Sequence, residues 1–410
     1  MNRRIVITGM GAVSSLGHGA DQLWQSIKKG KTGISRIERV DVSDLPTQVG
    51  AEIKDFDPNV FLDKKEIKRM DRFSQYAMAA TRMAVEEAKV DFTTINKARV
   101  GVIMGTGIGG IETIEQQHSL LLEKGTNRVS PFLVTMMLPN MASGLIAIKY
   151  GLKGFTECVI TACASSTNAI GDAYKMIQRN AADMMIAGGT EASITRLALA
   201  GFCAMKAMST NQDAACASRP FDLERDGFVL GEGAGVLVVE ELEHALKRGA
   251  NIIAEIVGYG CTNDAYHITA PAEGGEGAAQ CMKLAIEDAG INPCDIGYIN
   301  AHGTSTALND KNETEAIKAV FQKYAYDLPI SSTKSMTGHL LGAAGAIEAI
   351  ITASALKDGF LPPTINYKTP DPVCDLYYIP NTGITAKPAY ALTNSFGFGG
   401  HNATLVLKAL

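Results

Sequence analysis

The sequence predicts an α/β fold in which buried mixed or parallel sheets are covered by helices. Short runs rich in β-branched residues alternate with longer helical patterns along the whole chain. Glycine occupies 41 of 410 positions, more than its usual share of about 7%, which indicates many tight turns between strands and helices. Because 46% of the residues are hydrophobic and 20% are charged, we also expect a large core and little disorder.

The predicted elements follow one another from the N-terminus. Strands are predicted from short apolar runs at residues 4–8, 100–104, 158–160, 184–187, 236–240, 252–259, 296–300 and 405–407. Helices are predicted where apolar residues recur at three- and four-residue steps, at residues 20–28, 74–88, 111–122, 164–179, 277–289, 312–322 and 343–357. The best seam lies near residues 245–255, so that two halves, 1–250 and 251–410, each keep their own alternation of strands and helices.

Charge and cysteine content exclude several classes of protein. A net charge of −5 with interspersed signs argues against a nucleic-acid binder. The eight cysteines show no CxxC or Cys/His ligand spacing, so neither a disulfide framework nor a zinc site is expected. The N-terminus superficially resembles a secretory signal, but its apolar run ends at Gly9, which favours a first strand. No apolar stretch reaches the length of about 18 residues that a membrane span needs, so a soluble, cytoplasmic protein is expected.

Cys163 is the first candidate for a reactive residue. It lies where the predicted strand 158–160 meets the predicted helix 164–179. A sulfur in the first turn of a helix faces unpaired backbone N–H groups and the positive end of the helix dipole, and both stabilise the thiolate. The alternative is an inert thiol that fills core space. The local sequence leaves both interpretations open.

Three further side chains occupy glycine- or threonine-rich turns far downstream. His302 follows the predicted strand 296–300, and Lys334 and His339 share one later turn. Singly, they could be a hydrogen-bonded turn histidine, an exposed lysine and a helix cap. Together with Cys163, they lie at strand ends, where α/β folds gather their active sites. A thiolate can accept an acyl group from a thioester, and imidazoles can donate hydrogen bonds to a thioester carbonyl as it becomes an enolate.

Glycine-rich segments offer competing interpretations. Residues 105–110 match G-x-G-x-x-G, but a dinucleotide site also needs an acidic residue at the end of the next strand, about 20 residues on. That region looks helical, so tight backbone packing is the simpler explanation. Lys334 lacks the upstream glycines of a phosphate loop. The loop 394–402 could complete an oxyanion hole and gate a tunnel, or it could be an ordinary hairpin; we exclude its His401 from catalysis.

Seven motifs lie in order along nearly the whole chain, at residues 6–11, 161–166, 218–222, 225–229, 302–306, 334–339 and 395–400. Through these motifs the chain resembles the β-ketoacyl-acyl-carrier-protein synthases, in particular the type II enzymes of dissociated bacterial fatty-acid synthesis. The resemblance implies a thiolase-like fold of five layers, αβαβα, built from two similar halves and assembled as a homodimer. It also implies an acyltransferase that joins a Cys-bound acyl chain to malonyl-acyl-carrier protein by decarboxylative Claisen condensation. His401 is the one departure, since many bacterial members carry threonine there.

The resemblance also implies catalytic roles. Cys163 would accept the acyl chain from the carrier protein. His302 and His339 would bind the malonyl thioester carbonyl and support decarboxylation, and Lys334 would organise the site electrostatically. The backbone N–H groups of Cys163 and Phe398 would form the oxyanion hole, with Phe398 as a gate.

Binding roles follow from the same resemblance. Ile108 would line the acyl pocket, Thr304 and Thr306 would bind the phosphopantetheine arm, and Phe396 would contact substrate in the aromatic loop. A basic patch would meet the acidic carrier protein at Lys64, Lys65, Lys68, Arg69 and Lys206. The alternative for this run of charges is an ordinary solvated helix face. No resident organic cofactor is expected, because phosphopantetheine arrives on the carrier. A structural monovalent cation is held in some relatives at positions matching Asn300, Glu313, Glu348, Asn394 and Ser395.

The sequence is also compatible with several alternatives. A polyketide ketosynthase of the same fold is the nearest rival. A thiolase would need a second catalytic cysteine near the C-terminus, but the last cysteine of this chain is Cys374. A type III synthase would use one His and one Asn, where this chain offers two His. A non-catalytic chain-length partner typically lacks the nucleophile. From a different class, an NAD-dependent oxidoreductase would use the glycine motif at residues 105–110. The preferred chain length is not readable from the sequence.

Overall fold

The computed structural model describes residues 3–410; Met1 and Asn2, where the predicted first half and the signal-like segment begin, lie outside the described residues. The strands of the described chain are Ile5–Ser14 (β1), Gly17–His18 (β2), Ser35–Arg36 (β3), Val49–Gly50 (β4), Val100–Gly105 (β5), Thr156–Val159 (β6), Met184–Glu191 (β7), Gly233–Glu241 (β8), Ala254–Asn263 (β9), Ile296–Asn300 (β10), Ile330–Ser331 (β11), Phe360–Leu361 (β12), Ile384–Thr385 (β13), Tyr390–Gly397 (β14) and His401–Lys408 (β15).

The helices are Ala20–Lys28 (α1), Lys64–Ile67 (α2), Arg72–Ala88 (α3), Ile111–Lys124 (α4), Leu133–Met137 (α5), Met141–Tyr150 (α6), Ser165–Gln178 (α7), Arg196–Ala204 (α8), Leu242–Lys247 (α9), Glu276–Ala289 (α10), Ala307–Phe321 (α11), Lys334–Thr337 (α12) and Ala344–Asp358 (α13). The predicted bounds of α1 and β10 match the observed ones. The sequence also indicates a helix after the strand 236–240, which is α9, but it does not indicate α2, α5, α6, α8 or α12, and part of β14 was predicted as a loop.

One main sheet contains two strand sets with the same pattern. Its order is β11-β10-β14-β15-β9-β1-β8-β7-β5-β6, with β2 paired to β1. In the first set β5 is parallel to β6 and β7, whereas β7, β8 and β1 pair antiparallel. In the second set β10 is parallel to β11 and β14, whereas β14, β15 and β9 pair antiparallel. The sets join where Ile5 of β1 lies opposite Ile256 of β9. The chain is therefore built as two copies of one strand arrangement, and the predicted seam near 245–255 falls between α9 and β9.

The helices complete five layers around these two strand sets. Helices α3 and α6 cover the outer face of the first set, and α10, with α11 against it, covers the second. Helices α7 and α13 lie between the sets and contact strands of both. Every residue of α13 from Ala344 to Leu356 is buried, as expected for a helix with apolar residues on all sides. The predicted α/β, thiolase-like αβαβα architecture is confirmed.

Close contact of strand and helix backbones explains why the first strand runs through its glycines. The prediction ended this strand at Thr8, but β1 continues to Ser14. A Cβ atom on Gly11 would lie 1.9 Å from the carbonyl oxygen of Ala80 in α3. The second half repeats this contact, because a Cβ on Gly260 of β9 would lie 2.1 Å from the carbonyl oxygen of Cys281 in α10. These glycines let the outer helices approach, rather than break the strands.

None of the helices within residues 3–410 combines the length and the apolar composition that crossing a membrane would require.

We predict that Gly11→Ala lowers the free energy of unfolding by about 1–3 kcal/mol, the usual cost of forcing atoms into a packed interior. The added methyl group would overlap the α3 backbone, which cannot move away as a flexible side chain could. Gly201→Ala in α8 is the control, because nothing lies within 4 Å of its Cβ position. Urea unfolding of the three proteins measures the difference. A Gly11→Ala protein as stable as the control would contradict the contact.

Candidate active site

Cys163 lies in a short 3-10 turn, Ala162–Ala164, that connects β6 to α7. Ala162 has a positive φ of 49°, and the Ser165 hydroxyl supports the turn by accepting the N–H of Thr161 at 2.9 Å and donating to the carbonyl of Ala162 at 2.6 Å. The second half has the same feature before α13, in the turn Leu341–Ala343 with φ 47° at Leu341. Cys163 therefore occupies the place that a glycine, Gly342, occupies in the other half.

Three side chains converge at this turn from both halves of the chain. The Nε2 atom of His339 lies 3.0 Å from the sulfur of Cys163. The rings of His302 and His339 are nearly perpendicular, at 85°, with centroids 5.4 Å apart. One nitrogen of each histidine and the cysteine sulfur all lie within 4.8 Å of one another, and all three residues are buried. A thiol and two imidazoles are thus held together in a buried site at the end of a cavity.

Burial sets the protonation state of the thiol. It raises the pKa of Cys163 to about 12, while the charge of Lys334 and the backbone N–H of Phe398 act in the opposite direction. The expectation that the helix position lowers the pKa of Cys163 is therefore wrong for the enzyme without substrate. The cost of desolvating the thiolate exceeds the favourable interactions with Lys334 and the Phe398 N–H. The nearby Nε2 of His339 is placed to exchange a proton with the sulfur.

Both histidines are neutral near pH 7. Burial lowers the pKa of His302 and of His339 well below 6.5, and the positive charge of Lys334 acts in the same direction. A neutral imidazole carries one N–H donor, so each ring can donate one hydrogen bond to a carbonyl oxygen. The same three ligand atoms have a spacing that could suit a metal ion, but the Lys334 charge disfavours a second cation here.

A buried lysine and two buried carboxylates lie behind the histidines. Lys334, at the start of α12, pairs with Glu348 of α13. Glu313 of α11 accepts the backbone N–H of His302 at 2.8 Å and that of Gly303 at 2.7 Å, which fixes the loop that carries His302. Burial raises the pKa of both carboxyls to about 7, against the effect of Lys334 and, for Glu313, of these N–H donors.

A cavity of about 530 Å³ opens from these side chains to the surface. The predicted substrate residues that line it are Ile108, Thr304, Thr306, Phe396 and Phe398, beside Cys163, His302 and His339. The hydroxyl oxygens of Thr304 and Thr306 lie 2.9 Å apart. Lys334 is near the histidines but does not line the cavity. Phe228, which the sequence reasoning did not single out, packs edge-on against the ring of His339 at 5.5 Å.

The loop from Phe396 to Phe398 lies directly on the cysteine turn. A Cβ atom on Gly397 would be 2.9 Å from the backbone nitrogen of Cys163, so only glycine allows this approach. The loop joins β14 to β15 as a hairpin. The N–H of Phe398 is thereby directed at the sulfur, and His401 lies at the start of β15, outside the cavity lining.

The glycine motif at residues 105–110 already holds an anion from within the chain. The carboxylate of Glu191 accepts the N–H groups of Gly107 at 2.7 Å and Ile108 at 3.3 Å. A dinucleotide pyrophosphate would need those same donors, so the oxidoreductase alternative has no phosphate site here. Sequence reasoning missed Glu191, because a single acidic residue at the end of an apolar strand gives no signal of a partner 84 residues away.

The proposed cation residues are all buried, and they are only partly satisfied by one another. Neither side-chain polar atom of Asn300 has a hydrogen-bond partner in the described chain, nor does Oε2 of Glu348. Asn394 donates to Glu313 at 3.3 Å, and the hydroxyl of Ser395 pairs with Thr167 at 2.7 Å. Unpaired carboxylate and amide oxygens are ligands that hard cations accept, so the donor set fits, with Ser395 contributing no free hydroxyl.

The predicted basic patch is exposed. Lys64, Lys65, Lys68 and Arg69 lie on and just after α2, and the guanidinium of Arg69 lies over the ring of Phe132 at 5.0 Å. Lys206 is separate from this helix and lines the mouth of the cavity.

Comparisons with known proteins agree with this geometry. The family model of the beta-ketoacyl synthase N-terminal domain matches residues 2–245 of this chain. The family model of the beta-ketoacyl synthase C-terminal domain matches residues 253–368. A 3-oxoacyl-[acyl-carrier-protein] synthase 2 of Staphylococcus aureus (strain COL) is 54% identical over 99% of this chain and 98% of the relative. The Synechocystis sp. protein of the same name is 52% identical over the same shares.

A solved structure of a type II PKS acyl-carrier protein in complex with its ketosynthase bound to the hexaketide is also similar. It superposes with a TM-score of 0.93 at 36% identity and covers 100% of both chains.

We predict that His302 and His339 do not titrate between pH 8 and 6, whereas an unperturbed histidine titrates near about 6.5. Since their pKa values are depressed in the folded state, only the unfolded chain takes up these protons as the pH falls below about 6.5, and stability decreases in that direction. NMR of protein labelled at histidine Cε1, with signals assigned through His302→Ala and His339→Ala, measures this. A midpoint near 6.5 for either residue would contradict the buried, neutral site.

Proposed function

This chain belongs to the beta-ketoacyl synthase family, and from that premise we propose that it is a 3-oxoacyl-[acyl-carrier-protein] synthase of fatty-acid elongation. The convergence of Cys163, His302 and His339 on one cavity is the observation that carries this function. It is supported by relatives of that name that match nearly the full chain at 54% and 52% identity. The enzyme is an acyltransferase that lengthens a fatty acyl chain by two carbons.

In the first step the acyl chain moves from the carrier to the enzyme. The sulfur of Cys163 attacks the carrier-bound thioester, and its proton passes by way of His339 to the departing phosphopantetheine thiol. A new carbon–sulfur bond forms at Cys163 as the carrier's carbon–sulfur bond breaks. The attack gives a tetrahedral intermediate whose oxygen carries a negative charge that the thioester lacks. The N–H groups of Cys163 and Phe398 stabilise this oxyanion.

In the second step the malonyl carrier enters the same cavity. His302 and His339 donate hydrogen bonds to the malonyl thioester carbonyl, which accepts negative charge as carbon dioxide leaves. The resulting carbanion attacks the acyl carbon on Cys163, so that a carbon–carbon bond forms and the carbon–sulfur bond breaks. The released thiolate takes up one proton, and the product is a 3-oxoacyl chain on the carrier.

A polyketide ketosynthase of the same fold is the second candidate. The likeness to a ketosynthase with its polyketide carrier supports it, at 36% identity, but the relatives above 50% identity carry the fatty-acid name. Elongation assayed over saturated acyl chains and aromatic-polyketide starters on the carrier separates the two.

The partners follow from the same proposal. The acyl-carrier protein would dock with its acidic surface against Lys64, Lys65, Lys68, Arg69 and Lys206, so that its arm enters the cavity alongside Thr304 and Thr306, whose hydroxyls would hydrogen-bond it. We place the protein in the cytoplasm, where its free cysteines stay reduced.

A homodimer is supported by β6, the last strand of the sheet, whose surroundings expose Ile148, Phe155 and Ile160. An exposed apolar edge of this kind usually pairs with another chain.

The reaction needs no resident organic cofactor. A structural monovalent cation would be held by oxygens of Asn300, Glu313, Glu348 and Asn394 and by the backbone of Ser395. It would supply positive charge that offsets the buried carboxylates.

We predict that Cys163→Ala lowers acyl transfer from the carrier protein by about 10³-fold or more, because none of the other residues that line the cavity is a cysteine. Cys281→Ala is the matched control, since Cys281 is also buried but lies outside the cavity. Radiolabelled acyl-carrier protein reports the transfer. Retained condensation by Cys163→Ala would refute the proposed function.

His339→Ala is predicted to lower decarboxylation of malonyl-acyl-carrier protein by about 10²–10³-fold, the usual effect of losing an oxyanion donor. Release of labelled carbon dioxide measures this step apart from acyl transfer. A rate equal to that of the wild type would remove His339 from the carbonyl-binding role.

Charge reversal tests the carrier patch. We predict that the double substitution Lys65→Glu and Lys68→Glu raises KM for carrier-bound substrates roughly tenfold with little change in kcat, because the patch steers encounter rather than chemistry. The difference should shrink at high salt. Lys323→Glu, an exposed lysine far along the chain, is the control. An equal KM in all three proteins would contradict the docking site.

A further inference from the structure

Glu191 is a buried carboxylate to which the mechanism gives no role. It ends β7 and has no exposed surface. Its surroundings are donors: the N–H groups of Gly107, Ile108 and Gly342 and the hydroxyls of Thr106 and Ser193. These donors hold the carboxylate and the loops that carry them in a fixed arrangement. Any movement that breaks one of the hydrogen bonds would leave a buried N–H group without an acceptor.

One oxygen of this carboxylate joins two loops of the active site. Oε2 accepts the N–H of Gly107 at 2.7 Å and that of Gly342 at 3.0 Å. Gly107 precedes Ile108, which lines the cavity and packs in the same apolar cluster as Cys163. Gly342 follows Leu341, another cavity residue, and lies three residues after His339. The wall of the acyl pocket and the turn beside His339 are thus held by one atom.

The packing leaves no room for either loop to shift towards the other. A Cβ on Gly342 would lie 2.2 Å from the nitrogen of Gly107, and a Cβ on Gly107 would lie 2.8 Å from Oε2 of Glu191. The two glycines therefore let both N–H groups reach the same oxygen.

In the second half the equivalent loop is also held by a buried carboxylate, which comes from a helix instead of a strand. The loop after β10 is held by Glu313, which accepts the N–H groups of His302 and Gly303. The loop after β5, its counterpart in the sheet pattern, is held by Glu191. In one half the held loop presents a catalytic histidine, and in the other it presents Ile108 to the acyl chain.

We propose that Glu191 is a positioning residue that sets the acyl pocket against the Cys163–His339 pair, so that its loss impairs transfer of long acyl chains more than short ones. This inference rests on the proposed function. Ile108 lines the cavity and packs in the same apolar cluster as Cys163, so on this proposal a long chain on Cys163 contacts more of the Ile108 loop than a short chain does. A residue with a merely structural role would lower all chain lengths alike.

Glu191→Gln tests the proposal with little change in shape. In one orientation the amide NH₂ group faces the N–H groups of Gly107 and Gly342, and in the other it faces the N–H of Ile108, so in either case at least one N–H of the Ile108 loop loses its acceptor. We expect kcat/KM for tetradecanoyl-carrier protein to fall about tenfold more than for hexanoyl-carrier protein, chiefly through KM. Glu87→Gln is the matched control, because Glu87 also accepts a backbone N–H, that of Met10 at 2.5 Å, and lies outside the cavity.

Gly107→Ala provides a second, independent test and carries the test alone if Glu191→Gln does not fold. Its methyl group would push the loop off Oε2 while the carboxylate stays. The same selective loss of long-chain transfer is expected. Equal losses for both chain lengths in the folded variants would overturn the proposal. Failure of the wild type to condense any chain would instead refute the proposed function, so the two failures are distinguishable.

Discussion

The contact between the sulfur of Cys163 and Nε2 of His339, at 3.0 Å, joins the two halves of the chain, and the rest of the site is arranged around it. It exists because two equivalent turns, before α7 and before α13, meet between the two strand sets. The first turn carries the nucleophile. The second carries glycine at the corresponding position, which leaves space for the backbone of Thr106 and Gly107. Two copies of one strand arrangement supply the frame, and the equivalent turns of the two copies carry different residues, Cys163 and Gly342.

Burial gives this site its electrostatic character. The thiol and both imidazoles are neutral at rest, since desolvation raises the pKa of Cys163 and lowers those of His302 and His339. The charge of Lys334 is held beside Glu348. Negative charge appears on the thioester oxygens only during the reaction. The fixed N–H donors and the buried ammonium group of Lys334 stabilise that charge, and the low dielectric of the buried site strengthens these interactions. The same desolvation makes any unpaired buried charge costly, which explains why the loops of the site are held by several hydrogen bonds each.

The sequence was informative where local rules decide structure. Helix α1 and strand β10 have the predicted bounds because their apolar spacing is regular and their ends carry clear breaking signals. Strand β1 was predicted too short, because Gly9 and Gly11 were treated as breaks, whereas contact with α3 requires them. The pKa of Cys163 was expected to be lowered by the helix end, but burial, which depends on the whole fold, reverses the direction.

Glu191 could not be found, since its donors come from segments 84 and 151 residues away. The roles of the histidines came from resemblance, and the structure adds their distances and their neutral state.

Covalent attachment of the acyl chain to Cys163 is the central claim, and mass spectrometry of the quenched enzyme measures it most directly. After incubation with acyl-carrier protein alone, we expect one acyl group on the tryptic peptide 154–175, which fragmentation places on Cys163 rather than Cys158. Hydroxylamine should remove it, as it cleaves thioesters, and malonyl-acyl-carrier protein should discharge it as the 3-oxoacyl product. An unmodified peptide during active turnover, or an acyl group on another residue that malonyl-carrier discharges, would contradict the account.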